Sequence, residues 1–346
     1  MGLAGSVPAE TGWVMESRSG SSSWDAFGGA DADDRLGALL RLGDDLRDEG
    51  SARESVQAAL AARELALARE DDRAVAEAWT QVGRAYVELD EQAAARDALV
   101  QAARCWEALL EWQWAGNCLL GAFDSARSCG AVGDDDEERL RTAYTLLCGA
   151  GFDDAAAFAA VRLAEVEARR GGYDAAVELL DQARALAGSN VERIIMVGDL
   201  RAQVHLDLGE HDRAVDLLWQ CFDLGESAGA GAYPAYEACR LIGALRESGD
   251  LVASYRMAGE GLAAMLRSRP IDADALGSLH LERARCEVLL GRPAEAAVSF
   301  RKARHHLQAG GNAAELAMCE AEMREAENRE AGMHEAGMHE AEMRVP

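Results

Sequence analysis

One pentapeptide of the chain has the pattern of a serine nucleophile. Gly225-Glu226-Ser227-Ala228-Gly229 matches G-x-S-x-G, in which the serine occupies a sharp turn between a strand and a helix. His280, His305 and His306 follow it in the chain, as the base of a catalytic triad would. The residues before the motif have helical periodicity, however, and no glycine-rich oxyanion motif occurs elsewhere. A serine hydrolase that uses Ser227 is therefore a distant alternative.

A second motif, near the C-terminus, is similar to the zinc-binding sequence of metalloproteases. His334-Glu335 is followed by His339, so the two histidines are five residues apart. Zinc proteases need histidines at i and i+4 on one helix face, whereas residues at i and i+5 point about 140° apart. The chain also has no phosphate-binding G-x-x-x-x-G-K-[ST] loop and no G-x-G-x-x-G motif. We therefore expect no metal, no cofactor and no enzyme activity.

The composition excludes further classes. The 346 residues include 35 basic and 61 acidic side chains, which gives a net charge of −26. Because phosphate binding needs a basic face, this charge argues against direct binding to nucleic acid. No stretch approaches the roughly 18 apolar residues of a membrane helix, and the first residues lack the pattern of a signal peptide. Lys302 is the only lysine, and this arginine bias is typical of a GC-rich bacterial genome.

The eight cysteines indicate a reducing compartment. None of them forms a C-x-x-C pair, which removes the usual zinc and thioredoxin-like patterns. A chain of this length does not need a disulfide framework. We expect buried free thiols and a cytoplasmic, bacterial protein with no membrane contact.

The elements that carry these residues are helices. From about Asp34 to about Ala326, apolar residues recur at intervals of three and four, and short Gly or Asp turns interrupt the pattern at regular distances. Asp and Pro stand where helices should begin, for example at Asp153 and Pro293. The acidic run from Asp134 to Glu138 is likewise predicted to be a solvated helix start. This pattern predicts about fifteen helices of 14–19 residues and no strands.

The helices recur in pairs. Residues 79–102 contain Trp79-x2-Val82-Gly83-x2-Tyr86, followed by Ala95, Leu99 and Ala102, and this segment resembles the tetratricopeptide repeat (TPR) pattern. Further copies have small residues at equivalent positions 38 to 43 residues apart. These positions are Gly43, Gly83, Gly121, Ala164, Ala202, Gly243 and Ala284. The chain thus resembles the TPR family. Its composition resembles that of an actinobacterial-type member.

The resemblance implies an all-α, right-handed α-solenoid of about seven antiparallel helix pairs plus a C-terminal capping helix. Small residues such as Gly83 supply holes where two helices cross, and large ones such as Leu99 fill them. We expect a disordered arm over residues 1–32, the repeat domain over 33–320, and an acidic pentapeptide-repeat tail over 321–346, as a frayed helix or disordered.

In TPR superhelices the first helix of each pair lines an inner groove. The resemblance implies that the residues three before, one after and four after each small position face this groove here, and Val87 and Cys118 are among them. The polar groove residues are Asp44, Arg47, Thr80, Arg84, Glu165, Asp199, Gln203, Arg240, Glu247 and Arg285. Their four arginines and four acids cancel in charge. TPR domains that grip chaperone tails use Lys and Asn at such positions, and the absence of both here argues against that activity. It also weakens the hypothesis of a peptide-pheromone sensor.

Three tryptophans, Trp106, Trp112 and Trp114, lie within nine residues. Indoles are largely buried on average, which favours a core role, but Trp112 or Trp114 is alternatively an exposed anchor for a partner.

The sequence therefore predicts a non-catalytic scaffold that binds a protein or peptide in the groove. The first alternative is a regulatory or sensor protein that acts through a partner transcription or signalling protein. The oligomeric state is left open.

Overall fold

A computed structural model of the protein describes residues 32–229, 233–267 and 271–342, with side chains for 35–229, 234–267 and 271–329. Fifteen helices make up the regular structure of these residues. The helices are α1 (Ala32–Asp48), α2 (Ala52–Leu67), α3 (Asp72–Glu88), α4 (Gln92–Ala108), α5 (Trp112–Ser128), α6 (Asp134–Gly149), α7 (Asp153–Arg169), α8 (Tyr173–Leu186), α9 (Val191–Asp207), α10 (His211–Ala228), α11 (Tyr233–Glu247), α12 (Leu251–Arg267), α13 (Ala273–Leu289), α14 (Pro293–Gly310) and α15 (Ala313–Glu342).

The predicted all-α architecture and helix count are confirmed, since fifteen helices equal seven pairs and one further helix. No strand occurs among the described residues. Helix α15 is 30 residues long and crosses the predicted boundary between residues 320 and 321. The predicted arm, except for residue 32, and the side chains of His334 and His339 lie outside the described residues.

The period of the sequence repeat follows from the turns. Positive φ angles occur at Gly50, Glu70, Asp90, Leu110 and Gly130, in steps of 20 residues. Each step is one helix plus one turn, so a pair of helices takes about 40 residues. The left-handed conformation at Leu110 (φ 59°) costs a residue with a Cβ about 1–2 kcal/mol, so glycine is the usual choice at such turns. A search of the sequence for glycine does not find turns that lack it, such as the turn at Leu110.

Contacts divide the chain into two compact units, residues 1–132 and residues 133–346. In the first unit, each of the helices α1 to α4 packs against the next one, up to α5. In the second unit, α6 packs on α7, and the successive helices continue to α15, which packs on α14. The division falls between α5 and α6, close to the weak sequence copy of the repeat around Gly121. The sequence, in contrast, predicts one repeat domain over residues 33–320.

The predicted hole and knob are confirmed in the pair formed by α3 and α4, whereas a Cβ on Gly243 of α11 would meet only the side chain of Arg246 on its own helix, at 4.0 Å. A Cβ on Gly83 of α3 would lie 2.6 Å from Cγ of Leu99 of α4, which occupies the hole. Ala164, Ala202 and Ala284 are completely buried at the equivalent positions of the second unit. Close packing at these small residues lets the two helices of a pair approach, and the pairs then stack to cover their apolar faces.

Polar contacts join residues that are one repeat apart, and we call them inter-repeat pairs. Their partners are 36 to 41 residues apart in the sequence, close to the 38 to 43 residues that separate the small positions. They include Arg73–Glu111, Gln81–Asp44, Thr80–Cys118, Arg193–Asp154, Arg240–Gln203, Tyr236–Asp272, Arg267–Glu226 and Arg285–Glu322. Each unit is thus held by apolar packing and by polar contacts between neighbouring repeats.

The acidic start of α6 differs from its predicted character. The sequence predicts solvated carboxylates from Asp134 to Glu138, but Asp136 and Glu137 are buried. Asp136 accepts a hydrogen bond from the backbone N–H of Gly133 at 3.1 Å and one from Arg139 at 2.7 Å. Arg170 donates to Glu137 at 2.6 Å. These carboxylates are therefore parts of the helix cap and of the packing between helices.

Candidate functional site

The structure divides the ten predicted groove residues into two groups. Eight of them contact other side chains of the chain: Asp44, Arg47, Thr80, Glu165, Asp199, Gln203, Arg240 and Arg285. Arg84 and Glu247 are exposed and have no ion-pair partner among the described residues. The predicted cancellation of charge therefore arises largely from direct contacts, and few of these groups are available to a partner.

A cavity of about 300 Å³ opens between α3 and α5 in the first unit. Five of its residues belong to the positions that the sequence assigns to the groove: Arg47, Thr80, Arg84, Val87 and Cys118. The others are Glu88, Leu99, Trp114, Asn117 and Gly121. Because it combines apolar walls with a few polar groups, this cavity is the candidate functional site.

One side of the cavity carries two arginines in different states. Arg47 forms ion pairs with Asp44 at 2.9 Å and with Glu88 at 3.6 Å, so its charge is compensated within the protein. Arg84, one turn along α3 from Thr80, is exposed and unpaired among the described residues. Its five N–H donors therefore face solvent at the cavity without an internal acceptor. Arg84 is the group that gives the site its positive charge.

The floor of the cavity is fixed by a buried contact between repeats. Trp106 is 2% exposed, and its indole N–H donates to the Thr80 hydroxyl at 3.0 Å. The same hydroxyl lies 3.7 Å from the Cys118 sulfur. Burial raises the pKa of the Cys118 thiol to about 11, so it stays neutral near pH 7. This floor is rigid and uncharged, and it contains no thiolate nucleophile.

The tryptophan cluster serves both the core and the site. Trp106 is a core residue, and Trp114 stacks on it with ring centroids 5.8 Å apart while also lining the cavity. Trp112, the first residue of α5, is 41% exposed. The structure therefore places one predicted anchor at the cavity and leaves the other on the surface.

The sequence prediction missed Asn117, which lies beside Cys118 at the cavity. Its amide donates to the backbone carbonyl of Gln113 at 3.0 Å, and this contact fixes the orientation of the side chain. Asn117 is four residues before the small position Gly121, whereas the predicted groove positions were three before, one after and four after. One further helix position in that register would have found it.

In the second unit, the predicted residues Asp199, Gln203 and Arg240 form a compact polar cluster. Arg240 makes an ion pair with Asp199 and donates to Gln203 at 3.3 Å. Glu237, which the sequence prediction missed, is 4% exposed beside them. Burial, together with the charge of Asp199, raises the pKa of Glu237 to about 8, and burial also raises the pKa of Asp199. This cluster holds α9 and α11 together.

Two further groove residues of the second unit, Arg285 and Glu165, are also engaged. Arg285 donates to both carboxylate oxygens of Glu322 on α15, at 2.9 and 2.6 Å. Glu165 forms ion pairs within α7, to Arg162 at 3.2 Å and Arg169 at 3.8 Å. The contact between Arg285 and Glu322 positions α13 against α15. Opposite charges one repeat apart, as in this pair, are a sequence signal from which such a contact could be found.

The motif around Ser227 lacks the setting of a nucleophile elbow. Ser227 lies in the last turn of α10, where its hydroxyl donates to the Leu224 carbonyl at 3.0 Å. The elbow requires a strand immediately before the serine, and here a helix precedes it. Within the described part of the chain, no group of three His, Cys, Asp or Glu side chains could hold a metal ion. Nor is any helix there long and apolar enough to cross a membrane.

Comparison with protein-family models and with curated proteins gives no match. Solved structures do match. A tetratricopeptide repeat protein from Parabacteroides merdae ATCC 43184 has a TM-score of 0.58 at 12% identity, over 85% of this chain and 97% of that one. The apo form of the quorum sensor NprR from B. thuringiensis has a TM-score of 0.62 at 14% identity, over 82% and 79%.

The chain also matches the APC/C hetero-tetramer Cut9-Hcn1, with a TM-score of 0.51 at 15% identity over 82% of this chain. It spans 48%, about half, of that protein. At these identities the comparisons establish the architecture. The chain has an all-α, TPR-like solenoid fold, as its repeat pattern predicts.

Proposed function

We propose that this protein is a non-catalytic scaffold that binds a protein or peptide segment, and that the cavity between α3 and α5 receives it. The observation that carries the proposal is the state of Arg84. Most predicted groove charges are compensated within the chain, but this guanidinium stands unpaired beside the cavity, among the described residues. An exposed cation beside an apolar hollow gives a ligand both orientation and contact area.

The lining indicates the chemistry of the ligand. Arg84 can bind a carboxylate in a bidentate manner, and the Asn117 carbonyl oxygen can accept from a peptide N–H. Val87, Leu99 and the edge of Trp114 offer an apolar surface. A cavity of about 300 Å³ accommodates one or two side chains. We therefore expect a peptide with a carboxylate, from a side chain or the C-terminus, next to an aliphatic residue.

Selection of short random peptides on the whole protein tests this proposal. We expect the enriched peptides to share an acidic group next to an aliphatic residue. In fluorescence anisotropy, Arg84→Ala should weaken these peptides about tenfold, since a lost charge-assisted hydrogen bond costs about 1.5 kcal/mol. Arg84→Lys should recover part of the loss, because it keeps the charge without the bidentate geometry.

The matched control is Arg104→Ala, on α4. Arg104 is also exposed and unpaired among the described residues, but it does not line the cavity. Selected peptides that bind Arg84→Ala and Arg104→Ala equally well would place the site elsewhere. Arg240→Ala is a poor choice for this purpose, although the sequence suggests it, because it would leave the half-buried Asp199 without its cation.

A regulatory role is a finer form of the same proposal, in which the occupied cavity changes the contact with a second protein. Its support is the likeness in fold to the quorum sensor NprR. A cytoplasmic location also belongs to the proposal, and all eight cysteines are free thiols, as is usual in a reducing compartment.

A further inference from the structure

One segment of this acidic chain has the opposite charge. Residues 301–306 read Arg-Lys-Ala-Arg-His-His and include Lys302, the only lysine. They lie within residues 296–314, which contain no Asp or Glu and form the longest acid-free stretch of the chain. The segment belongs to α14, the second helix of its pair.

The fold turns much of this charge towards solvent. Ala296, Phe300, Ala303 and Leu307 form the buried side of α14 and pack in the core with α13 and α15. On the opposite side, Arg301, Lys302 and His305 are exposed, one turn beyond Val298, which is 43% exposed. We call the surface formed by Val298, Arg301, Lys302 and His305 the basic face of α14.

The basic face has no internal counter-charge. The ion pair at the start of α14 joins Arg292 and Glu295 at 3.6 Å, before the basic segment begins. Arg301, Lys302 and Arg304 have no carboxylate within ion-pair distance among the described residues. Like charges three and four residues apart on a helix repel each other by a few tenths of a kcal/mol per pair, and here nothing inside the protein offsets that repulsion.

The positive charge of this segment contributes to lowered pKa values at two neighbouring histidines. His306 stacks on His280 of α13, with ring centroids 5.7 Å apart. Burial, Lys302, His306 and Arg283 lower the pKa of His280 to about 4. Burial, His305 and Lys302 likewise lower the pKa of His306. Both imidazoles are therefore neutral near pH 7, and the permanent charge of the surface resides on the arginines and Lys302.

We infer that the basic face of α14 is a second binding surface, and that its partner is an acidic protein segment with an aliphatic side chain. Such a segment can place carboxylates on Arg301 and Lys302 and its aliphatic group on Val298. The size of the face favours this partner over a nucleic acid. DNA-binding proteins typically neutralise about six to ten phosphates, and the rest of this chain is strongly acidic.

The single lysine allows a direct test on the full chain. Carbodiimide joins a carboxylate to a neighbouring amine, and Lys302 and the N-terminus are the chain's only such amines. The probe is a short acetylated and amidated peptide with glutamates at i, i+3 and i+4 around one leucine. We expect it to bind at low ionic strength and to crosslink to Lys302, as mass spectrometry can show.

The variants separate charge from reactivity. Lys302→Arg should lose the crosslink but keep the affinity within about twofold, because the charge remains. Replacing both Arg301 and Lys302 with Ala should weaken binding about tenfold. The control is the pair Arg53→Ala and Arg104→Ala, which removes two other exposed arginines and should leave the affinity unchanged.

Three results would overturn the inference. The first is equal affinity for a peptide in which Gln replaces each Glu. The second is crosslinking at the N-terminal amine alone. The third is tighter binding of a single-stranded oligonucleotide of matched charge than of the peptide. The inference does not depend on the proposed function, because the basic face shares no residue with the cavity beside Arg84. Arg84→Ala should therefore not change this crosslink.

Discussion

The hole at Gly83 provides a quantitative test of the helix packing. In Gly83→Ala, the new Cβ would lie 2.6 Å from Cγ and 2.7 Å from Cδ2 of Leu99, and 3.4 Å from its backbone nitrogen. Favourable carbon–carbon contacts are about 3.5–4.0 Å long. Cγ moves only when χ1 changes, and the Leu99 side chain is only 5% exposed, so the surrounding atoms leave little room for another rotamer. Helices α3 and α4 would have to move apart.

The magnitude follows from two opposing effects. Overpacking of this kind costs about 1–3 kcal/mol, while alanine in place of glycine inside a helix gains up to about 1 kcal/mol. We therefore expect Gly83→Ala to lower the free energy of unfolding by about 1 kcal/mol, and by at most about 2. The control in the same unit is Gly37→Ala on α1, where the Cβ meets the flexible tip of Arg41 at 3.3 Å. Gly37→Ala should raise the free energy of unfolding by about 0.5–1 kcal/mol.

Urea unfolding followed by tryptophan fluorescence is a suitable assay. Five tryptophans lie among the described residues, and four of them, at positions 79, 106, 112 and 114, belong to the first unit, so their signal reports mainly on that unit. In a double-mutant cycle with Leu99→Ala, the Gly83→Ala penalty should disappear, since the clashing atoms are gone. If Gly83→Ala were as stable as Gly37→Ala, or if the two sites were uncoupled, the hole-and-knob account of the repeat would be refuted.

Two further predictions concern the second unit. Because the raised pKa keeps a proton on Glu237 in the folded chain up to about pH 8, the free energy of unfolding should fall as pH rises from about 5 to 8, and Glu237→Gln should flatten that fall in thermal melts. A slope that Glu237→Gln leaves unchanged would contradict this assignment. Arg285→Ala should lower stability by about 1–2 kcal/mol and speed hydrogen exchange in α15, since it breaks the bidentate pair with Glu322. Arg329→Ala, which removes an exposed pair within α15, should cost less than about 0.5 kcal/mol, and equal effects of the two arginines would argue against the bidentate pair.

The sequence predicts the fold well because the fold is repeated. A register derived from Gly83 and Leu99 can be carried from one pair to the next, so errors at single helices average out. The same register places Arg47, Thr80, Arg84 and Cys118 on one surface, and the structure shows them around one cavity. A periodic pattern therefore predicts which residues share a face.

The pattern does not predict which of those residues are already paired. Asp199 and Arg240 meet because neighbouring helices bring two positions 41 residues apart into contact, and that depends on side-chain geometry between repeats. Arg84 and Arg240 both belong to the predicted groove residues. Arg84 is unpaired among the described residues, whereas Arg240 contacts Asp199 and Gln203. The burial of Glu237 also depends on lateral packing, which the periodicity of a single helix does not describe.

The inter-repeat pairs also determine how the chain can fold. Since their partners are 36 to 41 residues apart, a growing chain can complete each pair once the next two helices have left the ribosome. The Arg73–Glu111 pair, for instance, needs nothing beyond the start of α5. The repeats can therefore fold in the order in which they are synthesised, and each folded repeat provides the surface on which the next one packs.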